Sequence, residues 1–298
     1  MSGGGGSGNA SFPAGQPGLD PRVPGGRRNS RILGATQGRS VWVAVASTVI
    51  FFSVAAILTV NSPGWPAVRQ SFFDGTEFRE SLPQIVSKFG RNVFIFCVAE
   101  ALVLVFALLI AVMRSLPGSV FAPLRLLAAA YTDFFRGVPT ILVIALLGFG
   151  MPALRLQNLP DSDMFWAIVA LTLVYTAYVA EVYRAGIDSI HPSQVAAARS
   201  LGLGPGQALR YVVLPQAVRR VIPPLLNDFI GLQKDSALVA FLGVTEGLRQ
   251  AQIIQANDFN FTPYVSLALV YVVITIPQAR FVDWLIARDR RKRLAVGS

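Results

Sequence analysis

The sequence predicts an all-α membrane protein with about six transmembrane helices. Hydrophobic residues make up 53% of the 298 residues and charged residues only 14%, and apolar runs of about 20 residues, enough to cross about 30 Å of hydrocarbon, recur along the chain. Soluble domains are more polar than this. The formal charge of +10 comes largely from arginines and lysines beside the apolar runs. That placement indicates a membrane topology signal and no nucleic-acid partner.

The first 40 residues are rich in Gly, Pro and Ser. They have little to bury, so residues 1–40 are predicted to be a disordered basic tail. The apolar run from Val41 to Val60 is longer than the core of a cleavable signal peptide. It is predicted to be an extra N-terminal transmembrane helix.

Residues 61–91 are predicted to form an extracytoplasmic loop. An amphipathic helix along the membrane surface is predicted within it, with a plain loop as the alternative. The apolar residues that recur there at helical spacing are Phe78, Leu82, Ile85, Val86 and Phe89.

Residues 92–285 are predicted to contain the remaining five crossings. The predicted spans are Asn92 to Met113, an interrupted span from Phe121 to Met151, Phe165 to Ile187, one broken helix from Gly204 to Leu248, and Phe261 to Leu285. Charged or irregular backbone at membrane depth must be buried in protein or face a watery cavity, so the broken helix is predicted to be interior.

Residues 286–298 are predicted to be a basic tail, and six spans place both termini on one side. Basic residues concentrate in the two tails and in the loops 114–125 and 184–220. The positive-inside rule therefore predicts that both termini of this multi-pass protein are cytoplasmic.

The cytoplasmic loop 188–204 is predicted to contain a short helix that docks onto another protein. Ser193 is the predicted N-cap and Gly202 the predicted C-terminal stop. A mere connecting turn is the alternative. Between these ends lie the predicted contact residues Gln194, Ala196, Ala197, Ala198 and Leu201.

This loop resembles the signature of the inner-membrane subunits of ABC importers, which reads Glu-Ala-Ala, three residues, Gly, nine residues, Ile, one residue, Leu-Pro. In register with it are Ala197-Ala198, Gly202, Val212 and Leu214-Pro215. Further motifs resemble the polar amino-acid branch, which includes histidine, glutamine and glutamate permeases. They are Tyr131 to Pro139, Ala180 to Ile187, Leu214 to Ala217 and Leu232 to Ser236.

The resemblance implies a type I importer permease core and a set of partners. These are two ATPase subunits that bind ATP and Mg, a second permease subunit in a homodimer or heterodimer, an extracytoplasmic solute-binding protein, and a polar amino acid as substrate. It also implies that loop 188–204 couples ATP hydrolysis to alternating access.

The sequence departs from the signature at Ala196, where the family has Glu. If Ser193 is the N-cap, position 196 is the third helical residue, and Ala loses the reciprocal bond of a capping box. We expect a cost of about 1 kcal/mol at most.

No Gly-x-x-x-x-Gly-Lys-Ser/Thr run occurs, so the chain is predicted to be no enzyme and to bind no nucleotide or other cofactor itself. Cys97 is the only cysteine and His191 the only histidine. No metal site is predicted, and His191 is interpreted as a loop residue.

Four charged residues are candidates for lining a substrate pathway. Glu100 is predicted to lie near the middle of the bilayer, where a carboxylate is costly; it either serves function or holds two helices together. A zwitterionic amino acid needs both charge signs, which favours Asp228, Lys234 and Asp235 on the broken helix. Lys234 and Asp235 could instead form an ion pair.

Other polar residues are predicted to be structural. Glu181 and Arg184, three residues apart, are expected to brace the docking loop through an ion pair, and Asp133 and Arg136 are expected to pair in the same way. Pro139 is predicted to kink its helix, and Pro215 interrupts the segment that follows the loop.

Two other functional classes compete with an ATP-driven importer. In a stand-alone ion-coupled secondary transporter, Glu100, Asp133 and Lys234 would form an ion relay. A membrane-embedded enzyme lacks support because the sequence contains no histidine cluster, nucleophile elbow or metal-ligand spacing.

Overall fold

The computed structural model describes residues 29–116, 118–157 and 159–296. This part of the chain is all helical and contains no strand, so the predicted all-α class is confirmed. The predicted tail at residues 1–28 lies outside the described residues. The helices are α1 (Asn29–Val60), α2 (Trp65–Phe72), α3 (Gly75–Ser115), α4 (Ala122–Gly137), α5 (Thr140–Ala153), α6 (Asp163–Asp188), α7 (Pro192–Ser200), α8 (Pro205–Ala208), α9 (Leu214–Asp235), α10 (Gly247–Asp258) and α11 (Thr262–Val296).

Helix α1 belongs to a separate structural unit, residues 1–65, and the rest of the chain forms a second unit. Within α1, Val41–Val60 is long and apolar enough to cross a membrane. The helix begins at Asn29, so residues 29–40 are helical and their assignment to a disordered tail was wrong. That assignment rested on composition, which does not show where a helix begins.

Helix α3 corrects the prediction of a surface helix in residues 61–91. It runs for 41 residues from Gly75, starting with a cap at Asp74 whose side chain accepts from the backbone N–H of Thr76 (2.8 Å) and Glu77 (3.2 Å). Ile85 and Phe89 are buried. These two residues of the apolar stripe therefore pack against protein, on Ala251 and Ile254 of α10 and Leu267 of α11, while Val86 stays exposed.

Helices α4 and α5 form one interrupted apolar segment with a bend of 100° between them. Pro139 is the N-cap of α5, so the predicted kink is a complete break. The helix stops there because a proline in the following turn has no N–H to offer and disfavours helical backbone in the residue before it. The backbone carbonyl of Pro139 accepts from Leu142 (2.9 Å), which starts α5.

Helix α6 is the central helix of the second unit. Its buried residues include small ones at helical spacing, namely Ala167, Ala170, Ala177 and Ala180, and α3 presents Ala99, Val103 and Ala107 to the same core. Small side chains let the two backbones approach closely, which is how membrane helices gain packing energy. Val143 and Ile144 of α5 and Leu232 of α9 complete this core.

The number of spans agrees with the prediction only in part. Among the described residues, four helices are long and apolar enough to cross, and the bent pair α4–α5 could be a fifth span. Helix α9 contains two arginines, two aspartates and a lysine in 22 residues and does not meet that criterion, so the crossing predicted for 204–248 stays a prediction. The tail predicted from residue 286 lies mostly within α11, which continues to Val296.

Candidate coupling helix and substrate pathway

The predicted docking helix forms as α7, but its N-cap is His191. Atom Nδ1 of His191 accepts from the backbone N–H of Ser193 (3.2 Å), and Pro192 occupies the first helical position, where no N–H partner is needed. Ser193 is therefore the second helical residue, and its predicted role as N-cap was wrong. Ala196 becomes the fifth helical residue instead of the third, so it does not lose a capping box.

Gly202 is the C-terminal stop of helix α7, as predicted. Gly202 adopts a left-handed conformation with φ 85°, which side chains other than glycine tolerate poorly. Its N–H donates to the carbonyl of Arg199 (3.0 Å), and the N–H of Leu203 donates to the carbonyl of Ala198 (3.2 Å). These two bonds form a Schellman motif that satisfies the last carbonyls of the helix.

Helix α7 has one face attached to the protein and one face uncovered. Ala198 is buried, and Val195 packs against Ile190, Val213 and Ala217. Leu201 is 84% exposed. The other predicted contact residues are also exposed, namely Ser193, Gln194, Ala196, Ala197 and Gly202.

The attached face connects α7 to α9. Val213 ends a π-helical turn, Leu209–Val213, and Ala217 lies in the first turns of α9. Pro215 is the second residue of α9, where a missing N–H is tolerated. Arg220 of α9 donates to the backbone carbonyl of Ser189, just before α7. A displacement of α7 would therefore act directly on the base of α9.

Glu181 of α6 is held by arginines from three helices. Arg114 of α3 forms an ion pair with its Oε1, Arg136 of α4 approaches the same oxygen at 3.9 Å, and Arg184 of α6 donates to its Oε2 at 2.8 Å. Arg184 also pairs with Asp188 (2.6 Å). The expected pair of Glu181 and Arg184 is present, and the contribution of Arg114 was missed because it lies 67 residues away in sequence.

The expected pair of Asp133 and Arg136 does not form. Asp133 is exposed and makes no ion pair with any described residue, because Arg136 extends toward Glu181 instead. Thr132 occupies the inner face of α4 at this level, where it is fully buried and accepts from Arg114 (2.9 Å). A spacing of three residues permitted the Asp133 pair but could not exclude a stronger partner on another helix.

Three of the four predicted pathway residues are carboxylates of the second unit, and together with Tyr175 they are called the acidic group here. Glu100 of α3 and Asp228 and Asp235 of α9 are all partly buried. Asp235 accepts a hydrogen bond from the Tyr175 hydroxyl (2.9 Å). Tyr175 of α6 joins the group through this hydrogen bond.

The hydrogen bonds of this acidic group are incomplete. Atom Oδ2 of Asp228 and atom Oε1 of Gln233 are buried and have no hydrogen-bond partner among the described residues. Lys234 is exposed and pairs with no described carboxylate, so the alternative of a Lys234–Asp235 ion pair is wrong. Carboxylates with free oxygens can bind a cationic group such as an ammonium.

Sequence reasoning missed Tyr175 and Gln233. Tyr175 in the span Phe165 to Ile187 and Gln233 beside Lys234 are both visible in the sequence. Neither residue type is charged, however, so the cost of a charge at membrane depth does not identify it. The backbone also comes close here, because a Cβ added to Gly231 would lie 3.1 Å from the Tyr175 hydroxyl oxygen.

A bundle of apolar helices with a short, partly uncovered helix and partly buried carboxylates is compatible with a membrane transport subunit. The comparisons agree: residues 104–291 match the family described as "Binding-protein-dependent transport system inner membrane component". The chain belongs to this family, whose members are the membrane-spanning permease subunits of ABC importers, and the type I permease fold is confirmed.

Curated relatives fall within the amino-acid branch. The probable glutamine ABC transporter permease protein GlnM of Bacillus subtilis is 38% identical over 59% of this chain and 79% of its own length. The glutamate/aspartate import permease protein GltK of Escherichia coli O157:H7 is 32% identical over 72% of this chain and 96% of its own length. The arginine transport system permease protein ArtQ of Bacillus subtilis is 37% identical over 53% and 72%.

Solved structures agree with the fold. A crystal structure of an amino acid ABC transporter with histidines matches with a TM-score of 0.66 and 32% identity, and covers 72% of this chain and 98% of that chain. The MetNI methionine ABC transporter in an inward-facing conformation matches with a TM-score of 0.53 at 20% identity. The second likeness concerns the fold alone.

Proposed function

We propose that this chain forms the translocation pathway of an importer for polar amino acids and that ATP hydrolysis on separate subunits drives it through α7. The ATPase subunits bind the ATP and Mg, and this chain carries out no chemistry of its own. A second permease subunit, identical or related, completes the pathway, and an extracytoplasmic solute-binding protein delivers the substrate.

The uncovered face of α7 is the observation on which the coupling role rests. A short helix with both ends capped is stiff, and its outer face presents small and apolar side chains, including Ala197 and Leu201, that can pack closely on another protein. The inner face, through Val195, contacts Val213 and Ala217 at the base of α9. Motion of an ATPase bound to α7 would therefore reach α9.

Helix α9 then links this motion to the acidic group. Asp228 lies 11 residues beyond Ala217 on the same helix, which is about 16 Å at 1.5 Å per residue. A shift at the cytoplasmic end of α9 would move Asp228 and Asp235 relative to Glu100 of α3. We propose that these three carboxylates bind the ammonium group of the substrate in one state and release it in the other. Lys234 has the sign required for the substrate carboxylate.

The proposed orientation places α7 and both termini in the cytoplasm, with the protein in the bacterial cytoplasmic membrane. This arrangement requires the segment 204–248 to cross the bilayer. Helix α9 packs on α6 and α11, and Asp228 and Asp235 are partly buried. Charged residues are tolerated at membrane depth where protein or a watery cavity covers them.

Replacing Leu201 with Asp tests the coupling role. Leu201 is 84% exposed, so the substitution leaves folding intact while placing a charge in the proposed ATPase contact. We expect ATP-driven uptake by the assembled transporter in vesicles to fall by about tenfold or more, as for a charge placed in the core of an interface.

The control is Phe259→Asp, because Phe259 is 82% exposed and follows α10, in the loop that leads to α11. It should leave the association of the ATPase with this chain unchanged. Equal ATPase binding by Leu201→Asp and wild type would remove α7 from the contact. Uptake that follows a proton gradient and ignores ATP depletion would establish the secondary-transporter alternative.

A further inference from the structure

An arginine-lined cavity lies at the ends of α3, α4 and α6 where the Glu181 network is found. Its volume is about 500 Å³. Arg114, Arg125 and Arg184 line it, together with Asp188 as the one lining carboxylate. Glu181, which does not line the cavity, forms ion pairs with Arg114 and Arg184 and offsets part of their positive charge. Three arginines against these two carboxylates leave a formal excess of one positive charge.

Arg125 carries the charge that is not compensated. Its guanidinium donates to the backbone carbonyls of Leu116 (2.9 Å) and Gly118 (2.6 Å), which orient it without neutralising it. No carboxylate in the described ranges pairs with it. A guanidinium held in place with N–H groups to spare is a good donor to a phosphate oxygen, because its planar fork matches the geometry of the anion.

The same three helices also line a largely apolar cavity of about 380 Å³, in which Tyr131, Thr172 and Thr176 are the polar residues. Met113 of α3 lines this cavity, and its neighbour Arg114 lines the arginine cavity. Along α6 the apolar lining ends at Thr176, eight residues before Arg184, which is about 12 Å. The apolar cavity therefore lies at hydrocarbon depth, and the arginine cavity lies where the apolar span of α3 ends.

A polar, positively charged cavity at the membrane surface next to an apolar cavity has the amphipathic pattern of a phospholipid with an anionic headgroup. Basic pockets between membrane helices take such headgroups. We infer that the arginine cavity binds the phosphate of an anionic phospholipid of the same leaflet and that an acyl chain of that lipid occupies the apolar cavity. This site depends on the membrane location of the chain and not on which substrate is transported.

The test uses the full-length chain in nanodiscs of phosphatidylcholine and phosphatidylglycerol, followed by native mass spectrometry of the lipid that stays bound. Arg125→Gln should lower retained phosphatidylglycerol by about fivefold, the effect of one basic residue near an anionic membrane surface. Arg125→Lys keeps the charge but not the planar fork, so it should retain more lipid than Arg125→Gln and less than the wild type. Arg69→Gln, an exposed arginine on α2, should behave as wild type.

Further arms separate the competing occupants. Inorganic phosphate and a phosphatidylglycerol with six-carbon chains should not displace the long-chain lipid, because neither fills the apolar cavity. Equal lipid retention by Arg125→Gln and Arg69→Gln would overturn the inference. Displacement by inorganic phosphate alone would show a free-anion site, and loss of ATPase binding with lipid retention unchanged would assign the cavity to a protein partner.

Discussion

Two groups of carboxylates differ in their hydrogen bonding. Within the described part of the chain, Glu181 of α6 has partners for both oxygens, whereas Asp228 of α9 does not. At the end of α6 near α7, both oxygens of Glu181 are engaged by arginines from three helices. In α9, Oδ2 of Asp228 has no partner among the described residues. Both groups bring α6 together with other helices, so packing does not explain the difference.

This difference supports the proposal that the Glu181 group stabilises the fold and the Asp228 group takes part in transport. A buried polar atom without a partner costs about 1–3 kcal/mol, and a stable helix bundle gains nothing by keeping one. A carboxylate that must bind a passing ligand has to remain available. Glu181 therefore holds the helix ends together, and we propose that Asp228 stays available to a ligand.

Neutralising Glu181, the carboxylate whose oxygens both have partners, should have the largest effect on stability. Glu181→Gln leaves the charges of Arg114, Arg136 and Arg184 facing one another, and breaking such a partly buried pair should lower the free energy of unfolding by about 3 kcal/mol. Unfolding by SDS titration in mixed micelles measures this change.

The control is Asp283→Asn, which removes the exposed pair with Arg280 (3.6 Å) and should cost less than about 0.5 kcal/mol. If Glu181→Gln unfolds at the same SDS fraction as Asp283→Asn, the arginines do not depend on Glu181. The Glu181 network would then not stabilise the fold.

Neutralising Asp228, the carboxylate with an unpartnered oxygen, should lower transport without lowering stability. Asp228→Asn keeps the shape of the side chain and removes an unsatisfied charge, so the free energy of unfolding should stay the same or rise. Uptake should fall by about 10-fold to 100-fold, because a hydrogen bond to a charged group contributes about 1.5–3 kcal/mol.

Both quantities are measured on the same reconstituted samples, with Asp161→Asn at an exposed loop position as the neutral control. The comparison between the two groups fails if Asp228→Asn is destabilised while uptake is normal. Asp228 would then be a structural group whose partner is a water molecule or another chain.

Features that depend on local composition could be predicted from the sequence. The span at Phe165 to Ile187 and the stop at Gly202 follow from apolar length and from the conformational freedom of glycine. The surface that Ile85 and Phe89 pack against could not be predicted in this way. Their spacing defines an apolar face, but the pattern is the same whether that face covers lipid or, as in α3, another helix.

The two carboxylate groups could be predicted only in part. Glu100, Asp228 and Asp235 were identified because a charge at membrane depth is costly wherever its partners are. The pairing of Arg114 with Glu181 joins residues of α3 and α6, and no local pattern encodes which helices meet. Arg114 also belongs to the basic loop 114–125, and the topology signal predicted for that loop explained its presence without a partner.

The C-terminal cap of α7 can be tested next. The last carbonyls of this helix have hydrogen-bond partners, as the oxygens of Glu181 do. Gly202→Ala forces a side chain into a backbone with φ 85°, which costs about 1 kcal/mol. Hydrogen exchange of the α7 amides should become about fivefold faster. Gly206→Ala is the matched control, because Gly206 is exposed with open space for a Cβ. Similar exchange in both variants would show that the left-handed cap does not stabilise α7.

The N-terminal cap of α7 gives the smallest expected effect and decides between Ser193 and His191 as its first residue. With His191 as N-cap, Ala196 is the fifth helical residue. A carboxylate introduced by Ala196→Glu cannot reach the cap N–H and gains only about 0.3 kcal/mol from the helix dipole. Gln194→Glu places the same group at the third helical position, within reach of the cap, and should protect the α7 amides more strongly.

The two substitutions are compared by hydrogen exchange under identical conditions. The order reverses if Ser193 is the N-cap, because position 196 would then complete a capping box and Ala196→Glu would slow exchange about fivefold, corresponding to about 1 kcal/mol. The family glutamate at this position would in that case have a helix-capping role. With His191 as the cap, a glutamate there lies on the uncovered face of α7, where its carboxylate is available to a partner and contributes little to the helix itself.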